Sequence, residues 1–443
     1  MNILSKKKLK LMVYSLDATG HLNSAIGMAQ ALQDRGHEII FLSSITNEFE
    51  IRKNGFNFIG MKMNIPEIYS SDKPANDYAK TIKDIGGLTN SPSIVKLTMW
   101  TDLREQSLLK ICLRQSIDYH PKIEAIIEHE KPDGFIIDHV FYLPCFAKYN
   151  IPWIAILSVA PTFLYDGPNH PPAMSGYSQE DRYKWNEFTN ELNKVSESYD
   201  YCQNELNKFC NFKPKNEYKR RIFYNISPYL NIYQYPKELD YTESILQESN
   251  IIAVDAFIRN DKKEFKLPTN VIPNRDNGEK LIFFSMGSMG GIDIELLDRI
   301  IKFLSKLKHK IIISKGPLGD KLSLTDNMWG DNFIPQVQIL PLVDLVITHG
   351  GNNSVTESLY FGKPMIVMPL FADQFDNAQR IQEKKYGIRL EPYDYQESEL
   401  YNAIEKLLSD KELMLRLSEV KQRIQNSKSK QKVCEKIEEL LII

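Results

Sequence analysis

The sequence lacks the features that mark disulfide-stabilised, metal-binding or membrane-spanning proteins. Its five cysteines are odd in number, scattered and without a C-x-x-C pair, so they indicate neither a disulfide framework nor a zinc site. No run reaches the ~20 apolar residues that a helix needs to span a bilayer. No Asp-x-Asp triplet occurs, so there is no obvious carboxylate pair for a magnesium ion. We therefore predict a protein of a reducing compartment with no bound metal.

An excess of charge of either sign is also lacking. With 55 Lys and Arg against 57 Asp and Glu, the formal net charge is -2, so no overall field attracts the protein to nucleic acid or to an anionic membrane. The N-terminal segment is basic, but its apolar run is short, broken by lysines and followed by an aspartate instead of a small-residue cleavage site. We expect a cytoplasmic protein, a monomer without a membrane anchor, whose partners are small molecules.

The first part of the chain shows the pattern of a parallel sheet. A strand is predicted over 8–14, then a loop ending at Gly20-His21, a helix through Leu32 and a second strand over 38–42. Further strands are predicted over 134–138 and 153–157. This alternation of strands and helices is typical of a doubly wound α/β domain.

A polar stretch over 260–280, with Pro268 and Pro273, separates this part from a second one. After it the alternation restarts, with strands over 281–285 and 310–314 around a helix over 294–307. The 443 residues are enough for two or three domains of ~150 residues. We predict two Rossmann-like doubly wound domains facing a central cleft, with boundaries 1–259, linker 260–280 and 281–425, and a C-terminal helix over 426–443 that packs back on the first domain.

Two stretches, 57–104 and 161–216, lose clear periodicity and accumulate Pro, Asn, Tyr and Ser. We interpret them as long excursions from the sheet, which are commonly binding loops. Aromatic and Met residues in and near them either line an apolar pocket or pack the excursions against the sheet, and both alternatives stay open. The candidates for an apolar pocket are Phe141, Tyr142, Phe163 and Met174.

The most informative stretch is 332–380. A strand over 345–348 leads into His349-Gly350-Gly351-Asn352-Asn353-Ser354, and a helix follows to about Phe361. Glycines let the backbone approach a ligand, and Asn353 or Ser354 is expected to cap a helix whose free N–H groups face a phosphate. A Gly-Gly-Asn turn taken alone is more often an ordinary loop, so its context decides the interpretation.

Carboxylates and an amide supply that context. Glu357 lies one helical turn after Asn353, where a carboxylate can accept hydrogen bonds from two ribose hydroxyls. Asp373-Gln374 follow the next predicted strand, over 365–369, and so lie at the same edge of the sheet. An acid beside an amide suits the neighbouring hydroxyls of a hexose.

The stretch 332–380 resembles, in order and spacing, the nucleotide-sugar signature of the UDP-glycosyltransferases, glycosyltransferase family 1, and is closest in type to soluble bacterial, plant or mite members. The resemblance implies the GT-B fold, with the acceptor on the first domain and the UDP-sugar on the second. It implies that Phe333 stacks on uracil, where plant members usually have tryptophan, and that Gln374 corresponds to the glucose-preferring form. Asn352 stands at the position where plant members of the family have a second tryptophan. The implied donor-site residues are Ser288, Phe333, Gln336, His349, Gly351, Asn353, Ser354, Glu357, Asp373 and Gln374.

The first domain supplies a second part of the resemblance. Gly20-His21-Leu22-Asn23 is similar to the opening motif of the family, in which the histidine is the catalytic base, and Asp138 matches the family's aspartate. A neutral imidazole can accept a proton from an acceptor hydroxyl, and a carboxylate on its other nitrogen fixes the tautomer. A lone histidine after a strand is more often structural. His139 is an alternative base, but its position one residue further should direct its side chain elsewhere.

The resemblance implies an inverting, metal-independent hexosyltransferase without a cofactor. The leading donor is UDP-glucose, and the acceptor is a hydroxyl of a small lipophilic molecule such as a xenobiotic, a flavonoid or another secondary metabolite, as in detoxification. Two other classes stay open: a catalytically idle sensor of UDP-sugars, and another GT-B enzyme such as a sugar-nucleotide epimerase or a lipid-linked sugar transferase.

Overall fold

A computed structural model describes residues 7–62, 74–105, 107–165, 169–214, 220–222, 224–241, 250–260 and 264–442, with the backbone alone for 74–78. Short apolar runs form two parallel sheets in these residues. The strands of the first part of the chain are β1 Lys10–Ser15, β2 Glu38–Ser44, β3 Asn57–Met61, β4 Gly134–Asp138, β5 Trp153–Leu157, β6 Arg220–Arg221, β7 Tyr224–Asn225, β8 Leu230–Gln234 and β9 Ile251–Val254. Those of the second part are β10 Leu281–Ser285, β11 Lys310–Ser314, β12 Met328–Asp331, β13 Leu345–Thr348, β14 Met365–Val367 and β15 Gly387–Arg389.

The first sheet has the order β3-β2-β1-β4-β5-β8-β9, and the second has the order β12-β11-β10-β13-β14-β15. All of their strand pairs are parallel, whereas β6 and β7 form a separate antiparallel pair. The strands are continuous apolar runs because both faces of each sheet are buried. In β1, Met12 and Tyr14 pack on one face, and Leu11 and Val13 pack on the other. The predicted α/β fold with two doubly wound sheets is confirmed.

Helices cover both faces of the sheets. They are α1 Thr19–Gln33, α2 Glu48–Lys53, α3 Pro74–Asp84, α4 Ser93–Lys96, α5 Thr98–Thr101, α6 Leu108–Glu130, α7 Cys145–Lys148, α8 Arg182–Phe209, α9 Gly287–Gly290, α10 Ile294–Leu304, α11 Gln336–Ile339, α12 Asn352–Tyr360, α13 Asp373–Glu383, α14 Glu397–Ser409, α15 Lys411–Gln425 and α16 Ser429–Leu441. Across the described ranges, none of these helices combines the length and the apolar character needed to cross a membrane.

The interpretation of 161–216 as a long irregular excursion is wrong, because α8 occupies 28 of its residues. The buried residues Trp185, Phe188, Leu192, Val195 and Tyr199 recur at helical spacing along one face of α8. Asn, Ser and charged residues fill the other faces, and they mask this periodicity when hydropathy is averaged over the window. In the other excursion, β3 and α3 are regular elements, and 63–73 lies outside the described residues.

The last helix, α16, packs on the first sheet. Helix α16 contacts α1 and β9. Val433, Cys434 and Ile437 of α16 join the apolar cluster under α1. In both sheets the strand order reverses beside the first strand, between β1 and β4 and between β10 and β13. Ligands of open α/β sheets bind at such reversals, outside the carboxyl ends of the strands.

Candidate functional site

In the first sheet, the carboxyl ends of β4 and β5 meet the start of α1. His21 lies in the first turn of α1, and its Nδ1 is 3.0 Å from Oδ1 of Asp138, the last residue of β4. Nδ1 also lies 2.9 Å from Oγ of Ser158, which directly follows β5. Burial alone lowers the pKa of His21, but the charge of Asp138, its hydrogen bond and the charge of Asp373 together raise the pKa above its ordinary value. The arrangement leaves Nε2 as the nitrogen that can accept a proton.

His139, the alternative base, lies in the core of the first domain. Its ring stacks on Tyr14 with the centroids 5.0 Å apart, and its Nδ1 accepts a hydrogen bond of 3.1 Å from the backbone N–H of Phe141. Burial lowers its pKa to about 4. His139 therefore packs as a neutral core residue.

In the second sheet, His349 follows β13 and its ring packs over Gly287. A Cβ at Gly287 would lie 2.6 Å from the ring, and Gly287 has φ +70, so the position accepts only glycine without strain. Burial lowers the pKa of His349 to about 4, and therefore the ring is neutral at pH 7. It can contribute a hydrogen bond to a diphosphate but no positive charge. Ser288 follows Gly287 in α9, half-buried on the same side.

Helix α12 begins at Asn352, with Gly351 as its N-cap and no side-chain cap, so the expectation that Asn353 or Ser354 caps it is wrong. The side chain of Asn353 is bound across the cleft. Its Nδ2 donates to the carbonyl of Gly20 at 2.7 Å, and its Oδ1 accepts from Oγ of Ser24 at 2.8 Å. This leaves the backbone N–H groups of the first turn of α12 as the donors for a phosphate.

Gln234, at the end of β8, completes this connection between the domains. Its Nε2 donates to Oδ1 of Asn353 and to Oγ of Ser24. Its carbonyl accepts from Nδ2 of Asn352 at 3.0 Å. The first turns of α1 and α12 are thus held face to face, and both present the positive end of a helix to the cleft.

Two of the predicted donor-site residues, Gln336 and Ser354, lie beside a third, Glu357, which is 3% exposed. Nε2 of Gln336 lies 2.6 Å from Oε2 of Glu357 and 3.4 Å from Oγ of Ser354. Phe333 lies nearby in sequence with its side chain 58% exposed, so that a base can stack on its ring.

Asp373 and Gln374 begin α13 beside the first domain. Oδ2 of Asp373 accepts from the backbone N–H of Ala160 at 3.2 Å, and burial raises the pKa of Asp373 to about 7, with a further rise from the charge of Asp376. Oε1 of Gln374 accepts from the N–H of Leu370 at 2.9 Å, so its amide nitrogen is the group left to reach a ligand. The charges of Asp373 and His21 each shift the pKa of the other residue.

The four pocket candidates separate into two pairs. Phe141 and Tyr142 line a small cavity of about 10 Å³ together with His139 and Tyr224. Phe163 and Met174 are buried elsewhere and do not line this cavity. Sequence reasoning missed Ser158, Gln234, Arg259 and Asp376. Ser158 and Gln234 could have been predicted from the sequence, since each is a polar residue at the end of a buried apolar strand.

Comparisons with known proteins agree with this geometry. The family profile described as UDP-glucoronosyl and UDP-glucosyl transferase matches residues 237–425. An NDP-glycosyltransferase from Bacillus licheniformis is 22% identical over 437 residues, which cover 97% of each chain. The glycotransferase of kitacinnamycin has a TM-score of 0.68 at 17% identity, covering 98% of this chain and 99% of that one. The spinosyn rhamnosyltransferase SpnG, solved with thymidine diphosphate, has a TM-score of 0.62 at 16% identity, covering 94% and 96%. Residues 237–425 thus match the UDP-glycosyltransferase family, and the chain as a whole has the GT-B fold of the glycosyltransferases that it resembles.

Proposed function

We propose that the protein is an inverting, metal-independent transferase that moves a hexose, with glucose as the leading candidate, from a UDP-sugar to a hydroxyl of a small lipophilic acceptor. The observation that carries the proposal is the position of the His21–Asp138 pair. His21 lies on a helix turn that is bonded directly to the first turn of α12, through Gly20 and Asn353. This contact supports a cleft with the proposed base on one side and the proposed phosphate-binding helix terminus on the other.

In the proposed reaction, Nε2 of His21 takes the proton of the acceptor hydroxyl while its oxygen attacks the anomeric carbon from the side opposite UDP. The bond to the diphosphate oxygen breaks and the configuration inverts. Asp138, 3.0 Å from Nδ1, stabilises the imidazolium that forms. General-base assistance contributes ~10²–10⁴-fold, and the backbone N–H groups of α12 stabilise the charge that develops on the leaving UDP.

The donor is proposed to bind with uracil on Phe333, the ribose on Glu357 and the hexose between Asp373 and Gln374. The exposed ring of Phe333 and the cluster of Gln336, Ser354 and Glu357 support this order along the second domain. Glucose is favoured because Gln374 corresponds to the glucose-preferring form of the family signature. His349 acts as a neutral hydrogen-bonding group beside the diphosphate.

The acceptor is proposed to enter next to the cavity that Phe141 and Tyr142 line at the end of β4. The side chains around this small cavity are largely aromatic and aliphatic, so an acceptor that packs against them would be ring-bearing and lipophilic, such as a flavonoid or another phenol. A xenobiotic or a secondary metabolite would fit this chemistry. Asp138 ends the same strand, so an acceptor there lies near the His21–Asp138 pair.

The test is turnover with a matrix of donors and acceptors. We expect release of UDP and a glycosylated product by mass spectrometry when UDP-glucose is supplied with phenols and flavonoids, with equal rates in EDTA and in magnesium. Binding of UDP without turnover on any acceptor would contradict the proposal and favour a sensor. Loss of activity in EDTA that magnesium restores would contradict metal independence.

We predict that His21→Ala lowers kcat by about 10²-fold or more, because the acceptor proton then has no base. The affinity for UDP, measured by calorimetry, should stay close to that of the wild type. His129→Ala is the matched control, since His129 is exposed and, within the described part of the chain, pairs with Glu130 alone. Turnover of the His21 variant near the original rate would show that the base is assigned wrongly.

A further inference from the structure

Arg259 connects the segment between the two sheets to the nucleotide-binding side of α12. It follows β9, where the chain leaves the first sheet, and its Nη2 lies 3.3 Å from Oε1 of Glu357. The two side chains are 15% and 4% exposed, so this ion pair is largely shielded from water. Across the described ranges, Arg259 is the one cationic side chain within ion-pair distance of Glu357. None of the sequence motifs pointed to it.

A buried carboxylate needs compensation, because ionisation in a medium of low dielectric constant is costly without a partner of opposite charge. Glu357 has two partners, one for each oxygen. Arg259 lies against Oε1, and Nε2 of Gln336 donates to Oε2 at 2.6 Å. Each carboxylate oxygen keeps a further lone pair, so the orientation held by these two contacts leaves acceptors for two neighbouring hydroxyls.

We propose that Arg259 is a positioning residue for nucleoside recognition, which holds the Glu357 carboxylate in the orientation that accepts hydrogen bonds from the 2′ and 3′ hydroxyls of a ribose. This inference rests on the proposed function, in which Glu357 binds the ribose of the donor. It has a specific consequence: the preference for a ribonucleoside diphosphate over its 2′-deoxy counterpart depends on a residue that does not touch the nucleotide. Because Arg259 lies between β9 and the predicted linker over 260–280, nucleoside affinity also depends on how this part of the chain lies against α12.

The test uses Arg259→Met, which keeps much of the stem and removes the charge, and Arg259→Lys, which keeps the charge. Calorimetry with UDP and with 2′-deoxy-UDP gives the ratio of the two affinities for each protein. We expect the wild type to prefer UDP by about tenfold, the Met variant to bind UDP about tenfold more weakly with the preference nearly lost, and the Lys variant to recover part of both. The donor KM should rise in the Met variant while kcat at saturating donor changes little.

Arg275→Ala is the matched control. Arg275 also pairs with a carboxylate of the second domain, Asp344, but that residue precedes β13 and lies at the opposite end of the strand from the nucleotide. Its removal should leave the ratio of UDP to 2′-deoxy-UDP affinity unchanged. Since the ratio is measured within one protein, partial unfolding of a variant does not alter it.

A Met variant that binds UDP more weakly but keeps the wild-type ratio would overturn the inference, since Arg259 would then act by attracting the diphosphate. A Met variant with wild-type affinities would also overturn it. If the wild type transfers sugar and only the Arg259 result fails, the proposed function stands. If the wild type does not bind UDP, the proposed donor site fails and the role of Arg259 fails with it.

Discussion

At the residue scale, the properties of His21 come from the carboxylates around it. Oδ1 of Asp138 lies 3.0 Å from Nδ1, and Oδ2 of Asp138 is buried without a hydrogen-bond partner among the described residues. The charge of Asp138 is therefore directed mainly at the imidazole, with the second contribution from Asp373. The raised pKa of His21 means that protonation removes the base at a pH above the ordinary value of 6.5.

We predict that kcat/KM of the wild type falls with decreasing pH as His21 is protonated, with a midpoint above 6.5. Asp373, whose pKa burial raises to about 7, ionises in the same range and should broaden the transition. Asp138→Asn removes a negative charge that favours the imidazolium, so the midpoint should move to lower pH. The plateau rate should fall by ~10²–10⁴-fold because the tautomer is no longer fixed.

The pH–rate profile of Asp133→Asn provides the control for this prediction. Asp133 stands just before β4, at the end of the strand opposite Asp138, and pairs with Lys7 near the surface. The same substitution there should leave the midpoint unchanged. An unshifted midpoint in the Asp138 variant would mean that this carboxylate does not set the pKa of the base.

At the element scale, α16 binds the residues Arg35 and His37 that follow α1. Nε and Nη2 of Arg35 donate to the two oxygens of Glu438 at 2.6 and 2.8 Å, and Nε2 of His37 lies 3.1 Å from Oε1. Nδ1 of His37 accepts from the backbone N–H of Leu9 at 3.3 Å, at the start of the sheet. Helix α16 is thereby bound to the turn between α1 and β2 and, through His37, to the start of β1.

We predict that Glu438→Ala lowers the free energy of unfolding by about 2–4 kcal/mol, because it leaves a guanidinium and a buried imidazole without their acceptor. The partial exposure of Arg35 keeps the loss below that of a fully buried pair. Chemical denaturation measures the change. Glu439→Ala, at an exposed neighbour that pairs with Lys436, should change stability by less than about 0.5 kcal/mol. Equal effects of the two substitutions would contradict the role of this contact.

At the scale of the whole molecule, the two domains are joined by polar contacts that converge on α13 and α12. Asp376 of α13 accepts from Oγ1 of Thr162 at 2.8 Å and from the N–H groups of Met174 and Gly176 at 2.7 and 3.0 Å. Met174 has φ +66, so a strained backbone turn is held by these bonds. One carboxylate thus collects three donors from the other domain.

We predict that Asp376→Ala accelerates hydrogen exchange at the amides of Met174 and Gly176 by about tenfold or more, because their acceptor is lost. Turnover should fall as well, since the cleft that aligns His21 with the donor becomes less well defined. Asp394→Ala is the control, because Asp394 is exposed and far from this contact in the chain. Unchanged exchange and turnover in the Asp376 variant would show that domain closure does not rely on it.

The two parallel sheets follow from the amino-acid pattern alone, because strands buried on both faces must be apolar runs, and the polar residues that end such strands must gather at one edge. Their positions near strand ends, together with the family signature, were enough to predict His21, Asp138 and Glu357 as candidate site residues. The helical pattern of α8 was present but was diluted by its polar faces.

The contacts between the two edges depend on the folded arrangement of the domains. The side chain of Asn353 bonds to Gly20, 333 positions away, and Arg259 pairs with Glu357, 98 positions away. Contacts of this kind follow from the approach of one domain to the other, and they leave no periodicity or spacing in the sequence. For the same reason Phe141 and Met174 looked alike in the sequence, although one lines the cavity and the other lies in a segment bound to α13.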